Sequence, residues 1–562
     1  MQISVSEEIR ILNNVMRDID YLNKSERKRV MEKFLNLVEK LYQQNQELLS
    51  QIQELRDENK RLKGEKGKPD IKANKISEER ENISGKDSDN ENSPIGKKPK
   101  KKWKKSKKLD KIEIDEELPI PYEGDLPADA QSKGYRSVVI QDIKIKRHNI
   151  EYQLQRYYSP LEKKTYEAKL PAEVEGEFGA ELKAYLIYLY HECRVPEGKI
   201  HQALCGQGIM ISEGQISNLL IKKQERFHAE KEEIVKQGIA SSEYQHIDDT
   251  GARVMGVNQY FSVLCNEYYS AFFIHPKKNR LTVLEILNQR QELSYTLNEA
   301  TFIYLNEKKV PRHIIDALTS VSCPEQMDKE PFITKLKQVS PKIKRRYVDM
   351  IIEAAAVVWY QEKNSSEKIK ILVSDAAKQF SGITELNALC WIHEERHYKN
   401  LIPIFDIHKK QLKDFRSKIW DYYRKLEAYK LSTDEEAKKD LREEFNKLFS
   451  THTGYDALDD CISRTMSRRG GLLVVLDHPE VALHNNPAEL AIRDYVVKRK
   501  ISYQTRSQEG TRSWETFLTI KDTCRKLKVN FYDYLYDRIS NEYKMPHLAS
   551  LIPKMKESRA SP

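Results

Sequence analysis

Cysteine is scarce in this chain, and its spacing excludes two classes of protein. The 562 residues contain seven cysteines, and no two of them are separated by only two residues. A disulfide framework needs denser cysteines and a zinc ribbon needs CxxC pairs, so the sequence predicts neither. Such sparse cysteine usage is typical of a protein of the reducing cytoplasm.

Long apolar runs are also missing. The longest candidate, IIEAAAVVW, contains Glu353 and falls well short of the roughly 18 apolar residues that a membrane-spanning helix needs. The N-terminus, MQISVSEEIR, lacks the basic and apolar regions of a signal peptide. We therefore expect a cytoplasmic protein with no membrane partner.

Charge, in contrast, is abundant. Charged residues make up 32% of the chain, and the net charge is +10. This basic excess favours an anionic partner such as nucleic acid. The length fits roughly three or four domains.

A leucine heptad near the N-terminus predicts a parallel dimeric coiled coil. Leucines recur at position d of the heptad, and valine, isoleucine and asparagine recur at position a: Leu41, Leu48, Leu55 and Leu62; Val38, Asn45, Ile52 and Asn59. Asparagine at a costs stability but favours two strands in register. We assign residues 1–63 to an N-terminal helix and this zipper. One long helix packed on its own body, or a basic-zipper DNA reader, remain alternatives.

Residues 64–115 have the composition of a disordered linker, with few large apolar groups. A lysine-rich run inside it surrounds one tryptophan: Lys97, Lys98, Lys100, Lys101, Lys102, Trp103, Lys104, Lys105, Lys107 and Lys108. Lysines neutralise phosphates with little sequence preference, and tryptophan stacks on bases. The run predicts a nonspecific DNA tether, and a merely solvated linker is the alternative.

Two small regions follow the linker. Apolar alternation within 116–175 predicts a small basic β unit. Residues 176–240 turn helical, and Ser212 with Gln215 forms a capping-box pattern before a second helix. A helix-turn-helix arrangement would present Glu213, Gln215, Ser217 and Asn218 to a DNA groove. A generic helical hairpin is the alternative.

The order of elements after residue 240 predicts an α/β fold. YQHID, GVNQYFSVLCNEY and YSAFFIHP read as three strands with a turn at Asn266–Glu267, TVLEILNQR reads as a helix, and ILVSD reads as a buried strand. This is the order of a ribonuclease-H-like core. We assign it to residues 241–540, with helical insertions at about 290–365 and 402–450, and leave 541–562 as a C-terminal tail.

Three carboxylates fall at informative places in that order. Asp248 lies at the end of the first strand, Asp375 ends the buried strand, and Glu489 begins a helix in HNNPAELAIRDYVVKRK. Hard divalent cations need acidic oxygens that converge from separate elements. Two such ions about 4 Å apart stabilise both the attacking and the leaving oxygens of a phosphodiester. The trio therefore predicts a metal-dependent DNA-processing enzyme.

Each carboxylate also has a structural interpretation. Asp249-Thr250-Gly251-Ala252 reads as a turn, and it matches the DTGA of aspartic proteases, which need a second such loop that this chain lacks. Asp375 has the pattern of a helix N-cap. Asn486, as an N-cap, would make Glu489 a capping-box partner.

Four segments together resemble bacterial transposases of the insertion-sequence-66 family: ECRVPEGKIHQAL, HIDDTGARV, CWIHEERHYKNL and NNPAELAIRDYVVKRKISYQTRSQEG. The resemblance implies a DDE triad of Asp248, Asp375 and Glu489 on a ribonuclease-H-like fold. The family reads D-E-T at its first position, so Asp249 takes the Glu place and remains a rival of Asp248. Cys390 and His393 match the C-x-x-H motif that follows the second aspartate in several DDE families.

The resemblance also implies cofactors and partners. These are two Mg²⁺ or Mn²⁺ ions, double-stranded DNA of element ends and target, a homodimer or higher oligomer, small accessory proteins and a nucleoid location. The family's zinc finger has no counterpart here, because 135–170 lacks cysteine. A basic cluster after Glu489 predicts phosphate contacts, or else a solvated helix end: Lys498, Arg499, Lys500, Arg506 and Arg512. A non-catalytic dimeric DNA-binding protein, such as a decayed transposase acting as a regulator, is the alternative function.

Overall fold

The computed structural model describes residues 24–62, 113–121, 124, 135–143, 145–171, 176–319, 323–339, 343–364 and 367–560. The chain divides into two compact units, Met1–Glu47 with Ile150–Pro562, and Leu48–Asn149. The lysine-rich run and Trp103 lie outside the described residues. No described helix is both long and apolar enough to cross a membrane.

The zipper sequence forms one helix, α1 (Lys24–Leu62). Within the first unit, its residues 36–39 pack on the body: Leu37 and Glu39 are buried, and Asn36 donates to Gly454 O at 2.9 Å. The zipper leucines, in contrast, face solvent, since Leu48 is 56% and Leu55 65% exposed. In the second unit, residues 48–62 are the only described residues in a helix or strand.

The predicted basic β unit is a single hairpin in the described part of 116–175. Strands β1 (Arg156–Ser159) and β2 (Lys164–Glu167) pair antiparallel, and Arg156 forms an ion pair with Glu167 at 3.2 Å. Helical structure follows in α2 (Ala180–His191), α3 (Glu197–Gly206), α4 (Glu213–Ile221) and α5 (Glu225–Ala240). The capping box of Ser212 and Gln215 at the start of α4 is confirmed.

A five-stranded mixed sheet forms the centre of the first unit. Strands β3 (Tyr244–Val254), β4 (Val257–Cys265) and β5 (Ser270–His275) form an antiparallel meander, with its second turn where predicted. The DTGA segment is not a turn, because residues 249–252 pair with β4 inside β3.

Helix α6 (Arg280–Leu287) follows β5 where TVLEILNQR predicted a helix. The first insertion lies between α6 and the parallel half of the sheet. It is helical as predicted but also contains a two-stranded ribbon: β6 (Tyr295–Leu297), α7 (Glu299–Glu307), α8 (Arg312–Thr319), β7 (Cys323–Met327), α9 (Lys329–Val339) and α10 (Arg345–Glu362). Helix α10 buries an apolar face that includes Ala355 and Tyr360, and this face joins the main core.

Strands β8 (Ile371–Ser374) and β9 (Leu386–Leu389) complete the sheet. Both run parallel to β3, and the strand order is β5-β4-β3-β8-β9. All four residues of β8 are buried, as expected for a strand covered on both faces. Mixed strand directions with helices between them confirm the α/β class.

The second insertion has a core of its own. It comprises α11 (Trp391–Lys399), α12 (Asp406–Leu431), α13 (Glu435–Leu448), α14 (Asp456–Ser467), α15 (Arg469–Leu472) and a 3-10 turn (Val474–Leu476). Trp391, Tyr422 and Phe445 are buried there with Leu458 and Ile462 of α14. The helical segment thus extends past the predicted limit near 450, because α14 buries its apolar residues against those of α12 and α13.

Four helices close the chain: α16 (Asn486–Ser502), α17 (Gln508–Lys526), α18 (Phe531–Ile539) and α19 (Leu548–Ala560). Helix α16 packs on the sheet, and the rings of Tyr495 and Phe261 stack with centroids 3.5 Å apart. The predicted tail at 541–562 is therefore mostly helix α19, which buries Leu548 and Ile552 in the main core.

Candidate active site

The fold brings Asp248, Asp375 and Glu489 together where the pairing of β3 with β8 ends. The prediction that Asp248 ends its strand is wrong, because β3 continues to Val254. The register pairs His246 of β3 with Val373 of β8, and each aspartate lies two residues further along its strand direction. Because side chains alternate with a period of two, both aspartates lie at the same level and on the same face. Glu489 lies in the first turn of α16, which packs against β3.

The electrostatics of Asp248 reflect this convergence. Burial raises the pKa of its carboxyl, and the negative charges of Asp375, Asp249 and Glu489 add to this shift. The N–H of Asp249, which donates to Oδ1 at 2.8 Å, opposes it, and the resulting pKa is about 7. Like charges held in a half-buried site favour protonation unless a cation neutralises them. The donor set is therefore chemically suited to a hard divalent cation.

Asp249 has different surroundings. Its Oδ1 lies 2.5 Å from Lys278 Nζ, and its Oδ2 accepts from Gln379 Nε2 at 2.9 Å. The carboxylate is only 5% exposed. The side chain is thus already neutralised by a lysine on the opposite face of β3.

The capping interpretations of Asp375 and Glu489 are wrong. No helix begins in the described turn after Asp375, whose Oδ1 instead accepts the N–H of Ala377 at 3.0 Å. Helix α16 is capped at Asn485 rather than Asn486, without a side-chain cap, so Glu489 forms no capping box. Glu489 faces His393 Nδ1 at 3.4 Å and Arg396 at 3.6 Å.

Asn485 connects the strand of Asp248 to the helix of Glu489. Its Nδ2 donates to Ile247 O at 2.8 Å, and its Oδ1 lies 2.9 Å from Nδ1 of His246. Burial lowers the pKa of His246 to about 4, so the imidazole is neutral and donates from Nδ1. The N–H of Asn485 also donates to Cys390 Sγ at 3.2 Å.

Asn485 and Arg396 are absent from the sequence-based site. The available signals were the first asparagine of HNNPAE and an arginine three residues after His393 in WIHEERHY. Both signals are weak without the fold, because only the packing of α11 and α16 shows which side chains reach the carboxylates.

The predicted phosphate contacts after Glu489 divide into two groups. Lys498 is 1% exposed; its ammonium donates to Tyr190 O and lies 3.3 Å from the Tyr190 ring centroid, so the prediction that it contacts phosphate is wrong. Arg499 is half-buried beside Gly251 of β3. The others are exposed: Lys500, Arg506 and Arg512.

Some of the α4 residues that were predicted to face a DNA groove have partners within the protein. Gln215 is engaged in its capping box and also donates to Glu177 at 3.3 Å. Ser217 is half-buried and lines a cavity of about 450 Å³ that also contacts Arg506, and Asn218 is exposed. Of Gln215, Ser217 and Asn218, only Asn218 is exposed in the way that a DNA contact requires.

Two comparisons with known proteins show what this chain is similar to. The family described as "Transposase IS66 family" matches residues 175–297 and 362–513, and the unmatched interval coincides with most of the first insertion. "Uncharacterized protein y4jO" of Sinorhizobium fredii (strain NBRC 101917 / NGR234) is 31% identical over 302 residues, which cover 54% of this chain and 93% of that relative. The chain belongs to the IS66 transposase family.

Proposed function

We propose that the protein is a DNA transposase that binds the terminal inverted repeats of an insertion sequence and catalyses metal-dependent strand cleavage and strand transfer. The observation that carries the proposal is the convergence of Asp248, Asp375 and Glu489, with the charges of the other two raising the pKa of Asp248. Family membership supports DNA as the substrate. The small accessory proteins implied by the resemblance belong to the same proposal.

A ribonuclease-H-like core is part of this proposal. The order β5-β4-β3-β8-β9, with an antiparallel meander followed by two parallel strands, supports it. In this arrangement the first aspartate lies on the central strand, the second follows the adjacent parallel strand, and the glutamate comes from a later helix.

The proposed chemistry assigns a role to each carboxylate. Asp248, Asp375 and Glu489 would hold two divalent cations, Mg²⁺ or Mn²⁺, which supply activation of the attacking hydroxyl and neutralisation of the phosphodiester charge when bound. Arg499, which is half-buried beside Gly251 of β3, would contact a DNA phosphate.

The remaining parts of the molecule serve DNA handling in this proposal. The exposed leucines of α1 pair two protomers, so that two element ends meet in one complex. The lysine-rich segment tethers DNA without sequence preference, and α3 with α4 form a helix-turn-helix that contacts the terminal repeat, through Asn218 most directly.

Strand cleavage tests the proposal. DNA that carries the element's terminal repeat is incubated with Mg²⁺ and either the wild type or Asp248→Asn, and nicked products with 3′-hydroxyls are quantified. Loss of several kcal/mol of metal-mediated stabilisation corresponds to a rate about 10³-fold lower in the variant. Asp249→Asn is the matched control, because its carboxylate is neutralised by Lys278; its rate should fall far less.

Two outcomes would contradict the proposal. Cleavage by Asp248→Asn at the wild-type rate would remove the triad assignment. Binding of the terminal repeat without Mg²⁺-dependent cleavage by the wild type would favour a non-catalytic DNA-binding protein.

A further inference from the structure

A cluster of three different metal-ligand types lies beside the carboxylate site. Cys390 immediately precedes α11, His393 lies in the first turn of α11, and Glu489 lies in the first turn of α16. One ligand atom from each lies within 4.8 Å of the other two. His393 Nδ1 and Glu489 Oε1 are 3.4 Å apart, and both atoms are buried without a hydrogen-bond partner.

The donor set of this cluster selects a different ion from the one that three carboxylates select. Thiolate and imidazole prefer Zn²⁺ and similar borderline-soft cations, whereas Mg²⁺ prefers oxygen. Bonds of about 2.0–2.1 Å to nitrogen and oxygen place two tetrahedral ligands roughly 3.3 Å apart. The observed separation of 3.4 Å between His393 Nδ1 and Glu489 Oε1 matches that edge.

Cys390 offers a buried sulfur to a cation at this place. Burial raises the pKa of its thiol, whereas the N–H of Asn485, which donates to Sγ at 3.2 Å, favours the thiolate. A bound divalent cation would outweigh the effect of burial, because a coordinating thiol is deprotonated. Arg396 pairs with Oε2 of Glu489, which leaves Oε1 directed at His393.

We propose that Cys390, His393 and Glu489 form a second metal site, selective for Zn²⁺, that shares Glu489 with the carboxylate site. Binding displaces the thiol proton of Cys390 to solvent and leaves one tetrahedral position for water. Because Oε2 of Glu489 is paired with Arg396, Oε1 is the oxygen that both sites would use. Zinc therefore competes with the Mg²⁺ or Mn²⁺ centre for Oε1 and inhibits strand cleavage. The inhibition rests on the proposed function, whereas zinc binding does not.

Cobalt spectroscopy tests the binding. The full chain, freed of metal under reducing conditions, is titrated with Co²⁺, and the sulfur-to-cobalt charge-transfer band and the tetrahedral ligand-field bands are recorded. The wild type should show both, Zn²⁺ should abolish them, and Cys390→Ser should lack the charge-transfer band. Cys461→Ser is the matched control, because Cys461 is a buried thiol in the core of the second insertion.

A second variant keeps the test decisive if Cys390→Ser fails to fold. His393→Gln should weaken Co²⁺ binding by about 10²-fold or more, since one ligand of three is lost, while circular dichroism remains native. A charge-transfer band that is absent from the wild type, or that persists in Cys390→Ser, would overturn the site.

The inhibition is measured separately as the ratio of cleavage rates with and without Zn²⁺ at fixed Mg²⁺. Zn²⁺ should lower the cleavage rate of the wild type at least about 10-fold. At the same free Zn²⁺, the ratio for Cys390→Ser should stay near one. Equal inhibition of both proteins would overturn the competition for Glu489. A wild type with the cobalt band but no Mg²⁺-dependent cleavage would instead overturn the proposed function and leave the zinc site standing.

Discussion

At the scale of single residues, position on a pleated strand separates Asp248 from Asp249. The sequence favours Asp248 only through the alignment of one residue with a D-E-T motif, which leaves Asp249 as a rival. The structure gives them different partners: Asp248 shares a face with Asp375, and Asp249 pairs with Lys278. A period of two is a property of the strand, but which face holds the other acids is a property of the fold.

Lys498 shows the opposite case, in which composition misleads. A lysine in KRK next to a candidate site has the sequence pattern of a phosphate contact. Helix periodicity instead directs it towards Tyr190 and Trp514, one turn after Tyr495 and on the side of α16 that meets the core. Lys500, two residues later, is exposed, so its predicted phosphate contact stays a prediction.

Burial of Lys498 predicts a pH-dependent stability. The pKa of Lys498 is lowered to about 7, mainly by burial. The positive charges of Lys521 and Arg194 also lower it, whereas the negative charges of Glu197 and Asp494 oppose the shift. Between pH 7 and the unfolded pKa near 10.5, the unfolded chain binds a proton that the folded chain does not, so this group makes the protein more stable as pH rises.

Lys498→Met removes that term. Well-packed apolar replacements of buried charges are often stabilising by about 1–4 kcal/mol, so we expect the variant to be more stable than the wild type at pH 6. The difference should shrink as pH rises from 7 to 10. Denaturant unfolding at several pH values measures it, and a difference that stays constant or grows with pH would contradict the assignment. Lys500→Met, on the exposed side, is the control.

At the scale of elements, the sequence predicted the kinds of element better than their limits. The meander of β3 to β5, the buried strand β8 and the capping box of α4 follow from alternation, apolar runs and local side-chain chemistry. The ribbon of β6 and β7 did not, because YTL and CPEQM have no strand pattern and are paired only by their packing within the first insertion.

The start of α16 is the clearest example of tertiary control over a helix limit. Asn486 has the pattern of an N-cap before proline, but Asn485 occupies that position. The side chain of Asn485 is committed to Ile247 and His246, so it bridges two elements rather than capping one. Only the contact with β3 distinguishes the two asparagines.

Asn485 should therefore position Glu489 relative to Asp248. Asn485→Ala leaves Ile247 O and His246 Nδ1 unpaired in a buried site, which costs about 1–3 kcal/mol of stability. We expect metal affinity and cleavage rate to fall by about 10–100-fold, the range typical of residues that orient metal ligands.

Manganese binding by electron paramagnetic resonance and thermal unfolding measure these two effects. Asn486→Ala is the matched control, because Asn486 is exposed. Conservative Asn485→Asp keeps one acceptor and should recover part of the metal affinity. Unchanged Mn²⁺ affinity in Asn485→Ala would remove the positioning role.

At the scale of the whole molecule, α1 combines a face committed to the body with a free face. Glu39 accepts N–H groups of Ile404 and Phe405 and pairs with His408, and both side chains of that pair are 2% exposed. Leu48 and Leu55 lie on exposed positions d. The alternative of a helix packed on its own body thus applies to its first part, and the exposed leucines remain the proposed dimer face.

The proposed dimer is sensitive to charge on that face. Leu48→Lys with Leu55→Lys buries four ammonium groups per coiled coil, so the dimer dissociation constant should rise by more than about 10³-fold. Light scattering should show a monomer. Gln46→Lys with Ser50→Lys adds the same charge at positions b and f and should leave the dimer intact. A monomeric wild type at micromolar concentration would refute the zipper.

The central claim is that Asp248, Asp375 and Glu489 hold the divalent cations of one centre. Fe²⁺ substitutes for Mg²⁺ and, with ascorbate and peroxide, cuts the backbone near the bound ion. Wild-type protein should yield fragments that end close to residues 248, 375 and 489, and Mg²⁺ should suppress all three together. Cuts at other places, or cuts that survive excess Mg²⁺ and Asp248→Asn, would contradict the account.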